Sequence, residues 1–254
     1  MPTPTDPSQP QPPHGPLAPH GARFAFDRSL AQLKKRLVSE ATAAFGMLEG
    51  ALEALWRLDA AAAKEVRRRD DGIDAEEVQI EAECFRLLAL EQPMARDLRV
   101  ITFILKVNAD IERVADHASS IAKIATRMDT SRPPRWPTAL VEMGQRVPVM
   151  CHLLMRAVLD EDAELARQVV DEDETIDRLE RRLFEEVEDL LRKEPEGTRN
   201  GLLIYRAGRE LERIGDLMKN IGEDVIYLST GSIVRHEQKR AKHAAEQAGQ
   251  VPRD

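Results

Sequence analysis

The sequence predicts an all-α protein made of two tandem three-helix bundles, with six long antiparallel helices related by internal duplication. Three observations predict this fold: the composition, the spacing of the apolar residues and a long internal repeat. Hydrophobic residues make up 42% of the 254-residue chain, but aromatic residues only 4%, and glycines number 13. A chain rich in Ala, Leu, Glu and Arg and poor in aromatic and β-branched residues favours helices over strands.

Six segments carry apolar residues at helical spacing. Pro93 ends the second segment because proline cannot continue a helix, and SRPPRWP at 131–137 separates the two halves. The predicted helices cover residues 24–58, 61–90, 95–128, 138–159, 161–191 and 198–230. The Pro-rich start has almost nothing to bury, and the end of the chain is polar. The predicted domains are a disordered tail over 1–22, three-helix repeats over 23–130 and 131–232, and a polar tail over 233–254.

The internal repeat decides the architecture. The segment NADIERVADHASSIAKIA (108–125) aligns with GRELERIGDLMKNIGEDV (208–225) at a constant offset of 212 − 112 = 100. Upstream, RRDDGIDAEE (68–77) aligns with VDEDETIDRLE (170–180) at an offset of 173 − 70 = 103, so the loops differ by three residues. A repeat of this length is typical of a duplicated bundle rather than a solenoid of short units.

Acidic residues form rows on four of the predicted helices. Glu112 and Asp116 are four residues apart on one helix face, and Glu212 and Asp216 repeat the pattern. The second and fifth helices carry similar rows: Asp70, Asp74, Glu77 and Glu81, and Asp173, Asp177 and Glu180. Like charges at this spacing destabilise a helix, so bound cations or salt bridges should compensate. Arg113, Arg213 and the arginines at 67–69 could supply the salt bridges, or the rows could be solvated faces.

Other site chemistries fit the sequence poorly. It contains no Glu-x-x-His, His-Glu-x-x-His or Cys-x-x-Cys motif and no phosphate-binding Gly-rich loop. His117 follows Asp116 and would permit a phosphotransfer histidine, but the equivalent residue in the second copy is Leu217. An unmatched histidine of this kind is more often a supporting or surface residue.

The charge and the cysteines narrow the class of protein further. A net charge of −8 argues against a nucleic-acid partner, since phosphate binding needs a basic surface. Without an apolar run long enough to cross a bilayer or a signal-peptide pattern, the sequence predicts a soluble, cytoplasmic protein. Cys84 and Cys151 lie inside amphipathic patterns, which predicts buried thiols rather than a disulfide.

Two long segments resemble a known family. LLALEQPMARDLRVITFILKVNADIERVADHASSIAKIA (87–125) and RELERIGDLMKNIGEDVIYLSTG (209–231) resemble PhoU, the phosphate-specific transport system accessory protein family, and the likeness covers residues 24–232. The resemblance implies a negative regulator of phosphate uptake and of the phosphate-starvation response. It also implies a non-catalytic adaptor between the ATP-binding subunit of the phosphate ABC transporter and a sensor histidine kinase, peripheral to the membrane only through these partners. A homodimer is expected.

The family also has an E(D)xxxD metal-binding motif, which implies multinuclear clusters of divalent or trivalent ions. Iron is the first expectation, with Mg, Mn, Zn or Ca as alternatives. Carried over to this chain, the ligands are Asp70, Asp74, Glu112 and Asp116 for one cluster and Asp173, Asp177, Glu212 and Asp216 for the other. Leu217 and Met218 depart from the family pattern in the second copy. Two other classes remain open: a carboxylate-bridged metal enzyme on a helical bundle, and a structural dimer with solvated acidic rows.

Overall fold

The computed structural model describes residues 20–231, with side chains from residue 23 onward. Residues 1–19 and 232–254, which hold most of the two predicted tails, lie outside the described part. Within it the chain is helical and contains no strand, as predicted. The helices are α1 (His20–Arg57), α2 (Ala60–Arg68), α3 (Asp70–Glu91), α4 (Arg96–Ala125), α5 (Thr138–Asp160), α6 (Ala163–Lys193) and α7 (Thr198–Thr230), with a 3-10 turn (Pro195–Gly197) before α7.

The second predicted helix is divided at Arg69 into α2 and α3. The Arg69 N–H donates to the carbonyl of Val66 at 3.0 Å, and the Gly72 N–H donates to the carbonyl of Arg69 at 3.1 Å. These i→i−3 bonds belong to a tighter 3-10 turn, which interrupts the α-helical ladder without reversing the chain. The division therefore leaves the predicted three-helix unit intact.

The same turn opens the second helix of each bundle. Leu58 and Glu161 both have positive φ, 54° and 49°, and each is followed by an aspartate, Asp59 or Asp162. Each aspartate caps the helix that follows, because its side chain accepts hydrogen bonds from two free backbone N–H groups. Both pairs lie 103 residues apart, since 161 − 58 and 162 − 59 both equal 103, so the duplication extends to the turn geometry.

The helices pack into the two predicted bundles. Helices α1 to α4 form the first, and α5 to α7 form the second. The bundles meet where α4 packs on α7 and α1 on α5, and one apolar core runs through both. Cys84 and Cys151 are free and fully buried in this core, as predicted. None of the helices described is long and apolar enough to cross a membrane.

A row of glycines lets α7 approach α6 closely. The row repeats every seven residues: Gly201, Gly208, Gly215 and Gly222. A Cβ atom on Gly208 would lie 2.0 Å from Leu183 Cδ2, so only glycine fits without movement of the leucine. In α4 the position equivalent to Gly208 holds Asn108, whose amide donates to the carbonyl of Glu77 at 3.0 Å. At this position α7 therefore presents its backbone to α6, whereas α4 presents the Asn108 side chain to α3.

Candidate functional site

The first acidic cluster lies where α3 faces α4. Burial is the largest cause that raises the pKa of Glu112, followed by the negative charges of Asp116, Asp74, Glu77 and Asp70. The predicted carboxylates of α3 and α4 are therefore close enough to act on one another. The acidic rows of α3 and α4, whose members are 35 or more residues apart in sequence, therefore form one cluster of interacting charges.

Asp70 lies at the less exposed end of the first cluster. Burial raises the pKa of its carboxyl, a hydrogen bond from the Ser119 hydroxyl opposes that shift, and Asp116 and Asp74 add to it. Its buried Oδ1 atom has no hydrogen-bond partner. A buried carboxylate oxygen without a donor is costly, so this end of the cluster contains an unsatisfied hydrogen-bond acceptor.

Glu40 adds a carboxylate from α1 that the predicted site did not include. Glu40 is only 2% exposed, and neither of its carboxylate oxygens has a hydrogen-bond partner. Burial raises its pKa to about 8, with Glu76, Glu77 and Glu112 adding to the shift and Arg36 opposing it. Three helices, rather than the predicted two, therefore contribute carboxylates to the first cluster.

The second acidic cluster lies between α6 and α7 and carries its own cations. Asp173 is 3% exposed and forms an ion pair with the Lys219 ammonium group. Burial is the main cause that raises the pKa of Asp173, and Lys219 opposes it. Lys219 also lies near Asp177 and Asp216 and interacts with both. The Lys219 ammonium group thus interacts with carboxylates of both helices, Asp173 and Asp177 on α6 and Asp216 on α7.

Arg209 is the positively charged side chain beside the other two carboxylates of the second cluster, Glu180 and Glu212. Its Nη1 atom lies 3.5 Å from Glu180 Oε1 and 3.4 Å from Glu212 Oε2. Glu180 also accepts a hydrogen bond from the Tyr205 hydroxyl at 2.9 Å. Burial raises the pKa of Glu212, and the Arg209 charge opposes the shift. Its Oε2 atom is buried, and Arg209 approaches it without a hydrogen bond.

The carboxylates of neither cluster are arranged around a common centre. Among the described residues, no three His, Cys, Asp or Glu side chains converge closely enough to hold a metal ion. The structure thus brings the predicted residues onto facing helices in both halves, but their side chains do not form a coordination shell as they stand. The metal assignment stays a prediction.

His117 links the two bundles. Its Nδ1 atom lies 2.8 Å from Glu210 Oε2 on α7, and both side chains are largely buried. Burial alone would raise the pKa of Glu210, but the hydrogen bond and charge of His117, with Arg213 and Arg206, hold it below its ordinary value. His117 is therefore engaged in an interface contact, which supports the structural role expected for an unmatched histidine.

The arginines inside the two Glu-Arg-x-x-Asp signatures pair with residues outside them. Arg113 lies 3.4 Å from Asp110, and Arg213 lies 4.0 Å from Glu210. Lys219 and Arg209 instead neutralise the second cluster. The signal for Glu40 was present in the sequence as an acidic residue three positions after Leu37 in the apolar stripe of the first helix.

Comparisons with known proteins agree with the duplicated architecture. The PhoU domain model matches the chain twice, over residues 37–125 and 140–225. The phosphate-specific transport system accessory protein PhoU homolog of Pseudomonas aeruginosa is 35% identical over 218 residues, which cover 85% of this chain and 90% of that protein. The homolog of Deinococcus radiodurans is 36% identical over 186 residues, 73% of this chain and 87% of that protein.

Two solved structures share the fold. The crystal structure of PhoU from Pseudomonas aeruginosa superposes with a TM-score of 0.79 at 35% identity, covering 82% of this chain and 100% of that one. The phosphate transport system regulatory protein PhoU from Streptococcus pneumoniae gives a TM-score of 0.76 at 31% identity, covering 82% of this chain and 99% of that one.

Proposed function

The chain belongs to the PhoU family, and from that premise we propose that it is a cytoplasmic negative regulator of phosphate uptake and of the phosphate-starvation response. It works as a homodimer and as a non-catalytic adaptor between the ATP-binding subunit of the phosphate ABC transporter and a sensor histidine kinase. The observation that carries this proposal is the match to phosphate-specific transport system accessory proteins, which covers 73% and 85% of this chain in the two relatives compared.

An exposed apolar surface on the first bundle supports an adaptor role. We call Val78 and Phe85 of α3 the α3 apolar row; three further exposed apolar residues, Leu90, Met94 and Leu98, follow between the end of α3 and the start of α4. Val78 and Phe85 are seven residues apart and share one face of α3, at 59% and 56% exposure. Met94, in the turn that follows, is 79% exposed. Large apolar side chains grouped on a surface mark sites of protein contact.

The α3 apolar row borders the first acidic cluster. Val78 follows Asp74 by four residues and Phe85 follows Glu81 by four, so each apolar side chain lies beside an acidic one on the helix surface. A partner that covers the row would therefore also meet the acidic row. The charge of the first acidic cluster therefore influences which partner binds. Phosphate status would shift the balance between the complex with the transporter subunit and the complex with the kinase.

A capture experiment tests the adaptor role. The full-length chain is immobilised, and the purified transporter ATP-binding subunit and the kinase are applied separately, with and without inorganic phosphate. We expect both partners to be retained by the wild type. The double variant Val78→Glu/Phe85→Glu should lose at least one of them, because charge on the row opposes apolar contact. Leu202→Glu on α7, at a side chain that is 58% exposed, is the matched control and should retain both.

Three outcomes would count against this proposal. Retention of neither partner by the wild type would refute the adaptor role. Loss of binding in the Leu202→Glu control would show that the effect is not specific to the α3 apolar row. Metal-dependent phosphatase or oxidase turnover by the purified protein would favour the competing enzyme class. Light scattering during chromatography measures whether the protein is the expected homodimer. Loss of the dimer in Val78→Glu/Phe85→Glu would show that the α3 apolar row joins two copies of the chain.

A further inference from the structure

We infer that the exposed face of α3 binds a helix of a partner protein whose apolar residues repeat at heptad spacing and are flanked by Lys and Arg. The inference rests on the proposed adaptor role and specifies the kind of element that the α3 contact recognises. It follows from the pattern of residues along this face, from the equivalent face of the second bundle and from the charge of α3.

The α3 apolar row is part of a longer exposed stripe. We call it the α3 heptad stripe, and it comprises five exposed apolar residues: Ala75, Val78, Ala82, Phe85 and Ala89. Their spacings of three, four, three and four residues keep one seam of a helix facing a second helix. The buried residues Ile73, Ile80 and Leu87 form another apolar stripe on the opposite side of α3. Within the described part of the chain, other helices cover the second stripe and leave the α3 heptad stripe exposed.

Small and large side chains alternate along the α3 heptad stripe. Val78 and Phe85 project from it, at 59% and 56% exposure, and alanines lie before, between and after them. A helix that packs here can place its own large side chains beside the alanines, as knobs enter holes in a coiled coil. The shape of the stripe therefore favours a helix as the occupant.

The equivalent helix of the second bundle shows that the fold does not require this stripe. At the offset of 103, the five stripe positions correspond to five charged residues of α6: Arg178, Arg181, Glu185, Glu188 and Arg192. The core positions keep their apolar character, since Ile73 and Ile80 correspond to the buried Ile176 and Leu183. The apolar face is thus specific to the first bundle, which points to a contact made there.

The charge of α3 opposes a second copy of the chain as the occupant and favours a basic one. Of the 22 residues of α3, eight are acidic and one, Arg86, is basic. Glu83 accepts hydrogen bonds from Arg86 at 2.8 and 2.7 Å, so this positive charge is already neutralised. Two α3 helices face to face would bring like charges together, whereas Lys and Arg on an incoming helix would meet carboxylates.

The carboxylates that such a helix would meet lie along one flank of the stripe. Asp74 and Glu81 are exposed on the flank toward α4, where Asp74 acts on Glu112. The opposite flank holds Gln79, which is uncharged, and the neutralised Arg86. Charges at flanking positions of a helix pair decide which partner is accepted. The basic residues of the partner helix are therefore expected on the side nearer α4.

Two synthetic peptides that differ only in charge test the inference. Each spans about three heptads with Leu at the two apolar positions, and the flanking positions carry Lys in one peptide and Glu in the other. Fluorescence anisotropy measures the binding of each labelled peptide to the full-length protein. The Lys peptide should bind at least about tenfold more tightly than the Glu peptide, and added salt should reduce this difference because it screens exposed charges.

A matched pair of variants separates binding at the stripe from general attraction to an acidic protein. Ala82→Arg places a positive charge in the middle of the stripe and should weaken Lys-peptide binding at least about tenfold. Glu185→Arg, at the equivalent position of α6, changes the charge of the protein more but should weaken binding less than about twofold. Equal effects of the two variants would overturn the inference, as would equal binding of the two peptides.

Circular dichroism checks that each variant keeps the helicity of the wild type. If Ala82→Arg does not fold, Phe85→Lys and Phe85→Glu take its place, because they remove the same ring and differ only in charge. The Phe85→Lys variant should then bind the Lys peptide more weakly than Phe85→Glu does, and the reverse order would contradict the basic character of the occupant.

Other occupants of the stripe would give different results. Loss of the homodimer in Ala82→Arg, measured by light scattering, would assign the stripe to a second copy and overturn the inference. Residues 232–254 include Arg235, Lys239, Arg240 and Lys242, and a gain in Lys-peptide affinity on their removal would assign the stripe to this segment instead. Capture of the transporter subunit and the kinase without a preference for the Lys peptide would overturn this inference alone. Lys-peptide binding at the stripe with neither partner captured would refute the adaptor role.

Discussion

Replacement of Glu40 by methionine should stabilise the protein, although it removes a carboxylate from the first acidic cluster. Methionine is the residue at the equivalent position of the second bundle, Met143, where it is fully buried. The substitution therefore installs a side chain that the same fold already accommodates, and it removes two buried oxygens without hydrogen-bond partners.

The expected size follows from the pKa of Glu40, which is about 8 in the folded protein and has an ordinary value of 4.5. Between these two values the unfolded chain loses the proton and the folded protein keeps it, so native stability falls as the pH rises from 4.5 to 8. Each pH unit within that interval costs about 1.4 kcal/mol. The penalty at pH 7 is therefore about 3 kcal/mol, and the variant escapes it.

Urea denaturation of chelator-treated protein at several pH values measures the effect. The wild type and Glu40→Met should have similar free energies of unfolding near pH 4, and the difference should grow with pH up to about 8. Glu53→Met is the control: Glu53 lies on the exposed face of α1, so this variant should stay within about 0.5 kcal/mol of the wild type. A gain for Glu40→Met that did not change with pH would refute the reasoning, because titration of Glu40 would then contribute nothing.

Other predictions concern packing and helix capping. Gly208→Ala should lower the free energy of unfolding by about 1–3 kcal/mol, because the new Cβ would meet Leu183 at 2.0 Å. Gly46→Ala on α1 is the matched control: nothing lies within 4 Å of its Cβ, and the variant should gain up to about 1 kcal/mol in a thermal or urea melt. Asp162→Ala should cost about 1 kcal/mol by removing the cap of α6, and Asp59→Ala should cost a similar amount at α2; equal stability of either variant and the wild type would contradict the capping role.

The fold was largely predictable because its signals are local and repeated. Apolar spacing located the helices, and the offsets of 100 and 103 related the two halves before any contact was known. The break at Arg69 was not predictable from spacing, because a 3-10 turn shifts the hydrogen bonds without changing the apolar pattern. The start of α1 at His20 also precedes the predicted one, since apolar spacing does not mark a helix end outside the core.

The candidate site was predictable only in part. Residues on one helix face follow from periodicity, so the acidic rows of α3, α4, α6 and α7 were visible in the sequence. The pairing of positive side chains with carboxylates depends on contacts between facing helices, which periodicity does not reveal. The ion pair between Lys219 and Asp173, for example, joins residues 46 positions apart in sequence. The apolar stripe of α1 marks Glu40 for burial, but its membership of the first cluster depends on the carboxylates of α3 and α4 that lie near it.

The glycine row on α7 makes the two halves of the chain unequal in how freely their sequences can drift. At Gly201 and Gly208 a single added carbon would lie 2.6 and 2.0 Å from a leucine of α6, so almost every mutation there carries a penalty. The equivalent positions of α4 hold Ile101 and Asn108, which already have side chains and admit exchange for others of similar volume. Among descendants of one duplicated unit, the second bundle should therefore retain its helix contact while the first accumulates change.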